Sequence, residues 1–550
     1  MLNFELYFST SFDFSENRKI RSLSCTDFRI PNIDHQELHM NRRQFLYGSA
    51  AMALMSAMPF HAYATEGPVV KTVKGSVRGL VMDGVHVFRG VPCGMPPYQG
   101  KYVLALPEPV PAWNGIIDTV TPGDIPLQPD SKGKPLGGGD CLRLNIWSPA
   151  PGKTKCPVMV YIPGGGSTRC DNNDVRFDGT AFAQDGVVLV TINYRVNVHG
   201  FLKIKGVPSN LALRDMIFAL RWVQDNIAAF GGDPDNVTVF GQSAGATHIT
   251  SLISSGKTKG LFRRAILQSP SAMAQYNEKQ ASMAASELLA FYGIEDSREA
   301  VASLSPEKLL TFSAFAAAKG KDPEWGRMLQ GNVSVFKPYF DGDILMKRPV
   351  DAIAEGSAKD LDIMVGSAEQ EWRYYTVPSG AIDKIGEDAL KNFVYTTGFP
   401  ADIVDRYRKA GRGDTTGDLF TALQSDLIFR MPANKVLESQ KKAGGNAWAY
   451  SFAWKSPCYN GRLGAAHSVD LPFVFKTQHK DSPRIKNTLG TNPPDTLADA
   501  MHGAWVSFAF TGNPGWTPFD LDRRMTMRFD TASKEVADPW KTERENMPLK

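Results

Sequence analysis

Ser243 stands at the centre of Gly241-Gln-Ser-Ala-Gly245, directly behind the strand-forming run Val237-Thr-Val-Phe240. Gly-x-Ser-x-Gly between a strand and a helix lifts a serine hydroxyl clear of a sheet, on a turn so tight that the positions two before and two after need almost no side chain. With 49 glycines in 550 residues, about 0.3 copies of the motif are expected by chance, so context must decide. Upstream, Phe230-Gly-Gly-Asp-Pro234 and Asn236 read as a helix-ending turn, and Ala244 to Ser254 is compatible with a helix. The order is then helix, turn, strand, elbow, helix. The N–H groups and dipole of the last helix point at any oxyanion forming at the serine.

A serine hydroxyl is a poor nucleophile at neutral pH, so it needs an imidazole base, and the imidazole needs a carboxylate to fix its tautomer. An elbow of this kind belongs to the α/β-hydrolase fold, where the chain order is serine, acid, histidine. The histidines after Ser243 are His248, His467, His479 and His502. His248 lies on the elbow helix and is not expected to fold back. His479 sits among Lys476, Lys480 and Asp481 and reads as a solvated loop, and His502 falls in a closing helix as a partly buried or surface residue. His467, in the small-residue loop Gly464-Ala-Ala-His-Ser-Val-Asp-Leu-Pro472, is the expected base. For the acid, Val365-Gly-Ser-Ala-Glu-Gln-Glu-Trp372 follows a strand and offers Glu369 and Glu371. The residues alone do not choose between them. Pro163-Gly-Gly-Gly-Ser167, at the end of another strand, can turn its N–H groups outward as an anion nest. Phosphate binding is disfavoured because no Gly-Lys-Ser/Thr follows.

The elements that must position these groups are readable as well. Cys141–Trp147, Pro157–Ile162 and Gly186–Ile192 are dense apolar runs of strand length, as in a sheet buried on both faces. Leu211 to Phe230 patterns as an amphipathic helix, and Ala265–Gln268, Asp362–Gly366 and Ala447–Phe452 as further strands. Val69 to Arg89 predicts a small antiparallel sheet. Helical insertions are expected over 271–359 and 382–443, a closing helix over Asp495–Phe510, and an edge strand at Met525–Phe529. The fold class is therefore α/β, a mostly parallel sheet with helical insertions and a small N-terminal antiparallel sheet. Aromatics for acyl and alcohol pockets are available at Trp325, Tyr339, Phe340, Trp372, Tyr374, Tyr375, Trp448, Trp454 and Tyr459, about a third of which are expected to line the site.

From about Gly67 onward the sequence resembles the type-B carboxylesterases, the family that includes cholinesterases and bacterial para-nitrobenzyl esterases. The matching stretches, in order, include Phe88-Arg-Gly-Val-Pro92, Asp140-Cys-Leu-Arg-Leu-Asn-Ile-Trp147, Asn193-Tyr-Arg195, Phe230-Gly-Gly-Asp-Pro234, Gly241-Gln-Ser-Ala-Gly245, His467 with Leu471-Pro-Phe-Val-Phe475, and Gly512-Asn-Pro514. The resemblance implies Ser243 as nucleophile, Glu371 as acid, His467 as base, and the N–H groups of Gly165, Gly166 and Ala244 as the oxyanion hole. It implies two-step acyl transfer on a small-molecule ester, with no metal or organic cofactor and with activity falling as the base protonates near pH of about 6.5. The rivals are a non-catalytic binding module on the same fold, and hydrolysis of amides, carbamates or natural-product esters by the same triad. Three departures stand out: Pro163 where the family has His or Tyr, Gln370-Glu371-Trp372 where it has Asp-Glu-Gly, and Cys141 without its usual half-cystine partner, replaced around Ile125.

Hydrophobic residues at 43% and charged residues at 21% describe an ordinary globular chain, and a net charge of +4 argues against nucleic acid. Met40-Asn-Arg-Arg-Gln-Phe-Leu46, the mildly apolar run Tyr47–Phe60 and Ala62-Tyr-Ala64 match a twin-arginine export signal, too weak and short for a stable membrane span. The alternative is a short amphipathic first helix. The expected organisation is residues 1–39 outside the natural product, with translation starting at Met40, 40–64 as export signal, and 65–550 as one α/β-hydrolase domain in the periplasm or medium. Gln36-Glu37 can be encoded by an AGGAG-like ribosome-binding stretch. Beyond residue 64 the five cysteines 93, 141, 156, 170 and 458 have neither disulfide-framework nor zinc spacing, so at most one or two disulfides are expected.

Overall fold

The computed structural model describes residues 67–153, 155–319 and 334–547. Residues 40–64, where an export signal is expected, and Trp325 lie outside the described residues. The continuous apolar runs form the middle of an eleven-stranded sheet. Its strands in chain order are β1 (Leu80–Met82), β2 (Val85–Pro92), β3 (Arg143–Ser148), β4 (Cys156–Ile162), β5 (Val188–Ile192), β6 (Gly232–Gln242), β7 (Arg264–Gln268), β8 (Asp362–Ala368), β9 (Asn446–Phe452), β10 (Met525–Phe529) and β11 (Lys534–Ala537). Their spatial order is β11-β10-β9-β8-β7-β6-β4-β5-β3-β2-β1. Every neighbouring pair from β5 to β10 is parallel, and β1–β2, β2–β3, β3–β5 and β10–β11 are antiparallel.

Side-chain alternation along each strand feeds two separate cores, one on each face of the sheet. On β4, Val158, Val160 and Ile162 enter one cluster, and Met159 and Tyr161 the other. β5, β7 and β8 divide the same way, as with Ile363 and Val365 against Met364. The first core is covered by α1 (Leu211–Asn226) and by α2 (Ala244–Ser254). Leu213, Met216, Ile217, Leu220 and Val223 give α1 the helical spacing that buries one face. The second core is covered by α3 (Asp495–Thr511) through Leu497, Met501, Trp505 and Phe508.

Two details depart from expectation. The small sheet is three-stranded and mixed: Val69–Lys71 pairs antiparallel with Ser76–Arg78, which pairs parallel with Ile116–Asp118. The following hairpin, β1–β2, extends the large sheet instead, because β2 buries Val85, Val87, Phe88 and Val91 against β3 and needs apolar cover on both sides. Met525–Phe529 is not the edge, since the hairpin partner β11, with mostly exposed residues, lies outside it. The helical insertions fall where expected, between β7 and β8 and between β8 and β9. All five cysteines among the described residues are free. Burial pushes the Cys93 and Cys141 thiols up, out of reach of thiolate chemistry at neutral pH. No helix among the described residues is long and apolar enough to cross a membrane.

Candidate active site

β6 ends at Gln242, and Ser243 sits between it and α2 with φ +60° and ψ −125°. A non-glycine residue held there stores about 1–3 kcal/mol of strain, and its neighbours hold it. The Ser243 N–H donates to the Gln268 carbonyl at the end of β7 (2.8 Å), and its own carbonyl accepts from the N–H of Thr247 (2.9 Å). Gly245 is obligatory for a local reason: a Cβ there would meet the Ile162 carbonyl oxygen at 2.0 Å. The elbow is thus wedged against the end of β4, where the glycine loop begins.

That loop touches the elbow directly, since a methyl on Gly164 would come within 3.1 Å of Ser243 Cβ. Gly165 has φ +132° and Gly166 φ +63°. The loop is clamped from outside: Tyr194 Oη donates to the Pro163 carbonyl (2.7 Å), the Asn197 N–H to the Ser167 carbonyl (2.8 Å), and Asn197 Nδ2 to the Thr168 carbonyl (2.8 Å). Between those two clamps, Arg195 forms a fully buried bidentate pair with Asp215 of α1 (Nε–Oδ2 2.8 Å, Nη2–Oδ1 2.6 Å). His248 lies on α2, with its Nε2 3.3 Å from Ser167 Oγ, and burial pushes its pKa down to about 3, so it stays neutral. Ala244 is the first residue of α2, so its N–H has no acceptor within the helix. The N–H groups of Gly165, Gly166 and Ala244 therefore belong to two segments that meet at Ser243.

Glu371 follows β8 and His467 follows β9, both at the carboxyl ends of their strands. Both are buried, and Glu371 Oε2 lies 2.5 Å from His467 Nδ1. The other carboxylate oxygen, Oε1, accepts from Ser269 Oγ and from the Ala368 N–H, each at 2.6 Å. The His467 N–H also donates to the Glu371 carbonyl (3.2 Å). Glu369 is engaged elsewhere, by Arg528 Nε at 2.8 Å, so the acidic loop divides its carboxylates between a surface ion pair and the imidazole. Trp372, the bulky departure beside the acid, turns its ring away onto Tyr375, with centroids 4.7 Å apart.

His467 is next to the elbow through Gln242. Gln242 Nε2 lies 3.0 Å from His467 Nε2 and 3.4 Å from Nδ1. An atom so nearly equidistant from both ring nitrogens cannot lie in the ring plane without striking the carbon between them. It therefore rests on the face of the ring, and the in-plane lone pair of Nε2 is left for another partner. Ser468 Oγ donates to Gln242 Oε1 (3.1 Å), which fixes the amide with its nitrogen toward the imidazole. Among the described residues no hydrogen bond joins Ser243 directly to His467. The Ser243 side chain pairs instead with the Tyr375 phenol, whose pKa burial raises well above its ordinary value. Phe429 and Tyr375 complete the surroundings of the imidazole, with ring centroids 4.5 and 5.7 Å away.

The model of the carboxylesterase family matches residues 66–547. The chain belongs to the carboxylesterase family, and it is a carboxylic-ester hydrolase. It is similar to the para-nitrobenzyl esterase of Bacillus subtilis (strain 168), at 31% identity over 87% of this chain and 98% of that protein. It is also similar to a phenmedipham hydrolase of Pseudarthrobacter oxydans, at 30% identity over 86% and 96% of the two chains. Among solved structures, the Geobacillus stearothermophilus carboxylesterase EST55 at pH 6.2 superimposes with a TM-score of 0.77 at 33% identity, covering 87% of this chain and all of that one.

In this carboxylesterase the pocket at Ser243 is lined by Gly166, Ser167, Ala244 and Thr247 on one side and by Phe336, Lys337, Tyr375 and Phe429 on the other. Of the described aromatics picked out in the sequence, only Tyr375 lines it. Trp448 packs on Phe508 and Trp454 on Phe473, both within the second core. Phe429 was missed because it comes from a π-helical turn, Asp426–Arg430, whose wide register no sequence period announces. Gln242 and Ser269 were missed for another reason: their partners lie far away in sequence.

Proposed function

We propose that Ser243, His467 and Glu371 form the catalytic triad of this ester hydrolase, working through an acyl-enzyme. The observation that carries the reading is the buried contact between His467 Nδ1 and Glu371 Oε2 beside the elbow. With Nδ1–H donated to Glu371, Nε2 is the unprotonated nitrogen, and its lone pair takes the Ser243 proton as Oγ attacks the ester carbonyl. The imidazolium so formed gains from the Glu371 carboxylate and from the faces of Phe429 and Tyr375. It then protonates the departing alcohol, and water repeats the sequence in reverse to release the acid. The N–H groups of Gly165, Gly166 and Ala244 would hold each tetrahedral oxyanion, where losing one donor typically costs about 10²–10³ in rate. Reaction requires the Ser243 hydroxyl to turn from Tyr375 toward Nε2.

An organophosphate that labels the protein at Ser243, and fails to label Ser243→Ala, is the expected result. Labelling undiminished in Ser243→Ala would remove Ser243 from the mechanism. Turnover of p-nitrophenyl esters with little turnover of the matching anilides would place the activity on esters in preference to amides. The Arg42-Arg43 segment supports export by the twin-arginine route. Secreted protein beginning near Thr65 is expected, and an intact Met1 on exported protein would reject that route.

A further inference from the structure

The glycine loop ends on a hydroxyl that acyl transfer to Ser243 leaves unused. Ser167 lines the same pocket as Ser243 and is buried, with its backbone in the left-handed region at φ +61°. A serine there is strained, and such strain persists only where the surroundings hold it. The Asn197 N–H, from a residue itself at φ +58°, donates to the Ser167 carbonyl (2.8 Å). From behind, His248 Nε2 lies 3.3 Å from Ser167 Oγ. The His248 ring is fully buried, stacked on Phe201 (centroids 5.1 Å apart) and nearly perpendicular to Tyr194 (5.5 Å). Burial keeps that ring neutral, so it carries a single N–H. Among the described residues its Nδ1 has no partner. A buried N–H without an acceptor is rarer than a buried acceptor without a donor, which puts the proton on Nε2, donated to Ser167 Oγ. The Ser167 hydroxyl then keeps its own proton, and no acceptor for it lies among the described residues. Two other lining hydroxyls spend theirs inside the protein: Thr247 donates to the Ser243 carbonyl (3.1 Å) and Ser334 to the Phe336 carbonyl (3.4 Å).

We propose that Ser167 Oγ, held by His248, donates a hydrogen bond to the bound substrate and so favours esters that carry an uncharged oxygen acceptor, an ether or hydroxyl oxygen, a few bonds from the scissile carbonyl. The proposal rests on the hydrolase reading above and adds a substrate class to it. A hydrocarbon chain in the same place shuts the Ser167 proton away from water and offers it nothing. An oxygen at that point restores the bond. A site that hydrogen-bonds a substrate group rejects the analogue lacking it, because the site's own polar group is then left unpaired.

Two isosteric pairs place the oxygen on either side of the ester: p-nitrophenyl methoxyacetate against p-nitrophenyl butyrate, and 2-methoxyethyl butyrate against n-butyl butyrate. We expect kcat/KM, taken as the ratio within a pair and divided by the same ratio for hydroxide hydrolysis, to favour the oxygen-bearing member in at least one pair. In Ser167→Ala and in Ser167→Gly that ratio should fall by about five- to tenfold. Ser167→Gly relieves the backbone strain while removing the hydroxyl, so equal falls in the two variants trace the preference to the hydroxyl. In [15N]histidine-labelled protein the His248 proton should be found on Nε2. A corrected ratio of one or less in both pairs, a ratio unmoved in either variant, or a proton on Nδ1 overturns the proposal and leaves the hydrolase reading standing. If no ester were turned over, that reading would fail, and binding of methoxyacetone against 2-pentanone would still decide this one: a preference for methoxyacetone lost in Ser167→Gly supports it, and equal binding overturns it. Should Ser167→Ala not fold, Ser167→Gly, whose backbone is at ease at φ +61°, carries the test.

Discussion

Ser243, the glycine loop, Glu371 and His467 hang from the carboxyl ends of four parallel strands, whereas Phe336, Lys337, Tyr375 and Phe429 hang from the insertions between β7 and β9. The first group is fixed by main-chain hydrogen bonds and by close backbone contact, with no room for a methyl at Gly245. The second is held by ring stacking and by a buried ion pair between Asp426 and Arg430 in the π turn, over which Trp540 lies 3.9 Å from the Arg430 guanidinium. On the proposed triad, the difference is a division of labour: the reacting groups sit where the backbone leaves no freedom, and the facing wall sits where side chains can be exchanged. The largest effects should therefore come from the strand-end side.

Replacing Ser243 or His467 by Ala should lower kcat by about 10⁶, and Glu371→Gln by about 10⁴, with the circular-dichroism melt little changed. Near-normal turnover in any of the three would break the assignment. Next in size is the clamp behind the glycine loop. Asp215→Asn strands the buried Arg195 guanidinium and should destabilise the fold by about 3–5 kcal/mol, read from the shift in urea midpoint. Gly245→Ala comes third. Its methyl must displace the end of β4, and a displacement of roughly an ångström at the nucleophile costs about 10² in kcat. An equivalent loss in Gly386→Ala, where a Cβ meets nothing within 4 Å, would show that the contact is not the cause.

The same division explains how much could be read from sequence. The elbow and the glycine loop are local patterns, because a strand end followed by a turn has strict residue requirements, and both stand at strand ends in the structure. The choice between Glu369 and Glu371 needed either the family resemblance or a partner distant in sequence, Arg528, which takes Glu369. His248 stays on its helix, and its contact with Ser167, 81 residues away in the chain, is a long-range one that no local pattern announces. Met525–Phe529 was expected at the edge, since nothing in its own residues announces the hairpin that pairs β11 outside it. Lys337 and Phe429 were invisible for the same reason: which face of an insertion looks into the pocket is decided by packing, not by period.

The strand-end side contains one group that works against its own stability. Asp470, three residues past His467, is buried, and its Oδ2 accepts from Gln268 Nε2 (2.8 Å), while Oδ1 has no hydrogen-bond partner among the described residues. Burial raises its pKa to about 6, with the Glu371 carboxylate adding to the shift and the Gln268 bond opposing it. The folded protein then keeps, between pH of about 4 and about 6, a proton that the unfolded chain has already released. Stability must fall as pH rises through that window and level off above it. Asp470→Asn cannot titrate, so it should gain on the order of 3 kcal/mol over wild type at pH 7.5 and nothing at pH 4. Chemical denaturation of both proteins across this range measures the difference. Parallel pH profiles would mean that Asp470 titrates like an ordinary surface carboxylate. A gain at neutral pH accompanied by slower turnover would give the buried carboxylate its reason: it acts electrostatically on His467, the imidazole that becomes a cation in the proposed mechanism, and the stability lost above pH 6 would be the consequence of keeping a negative charge ready for it.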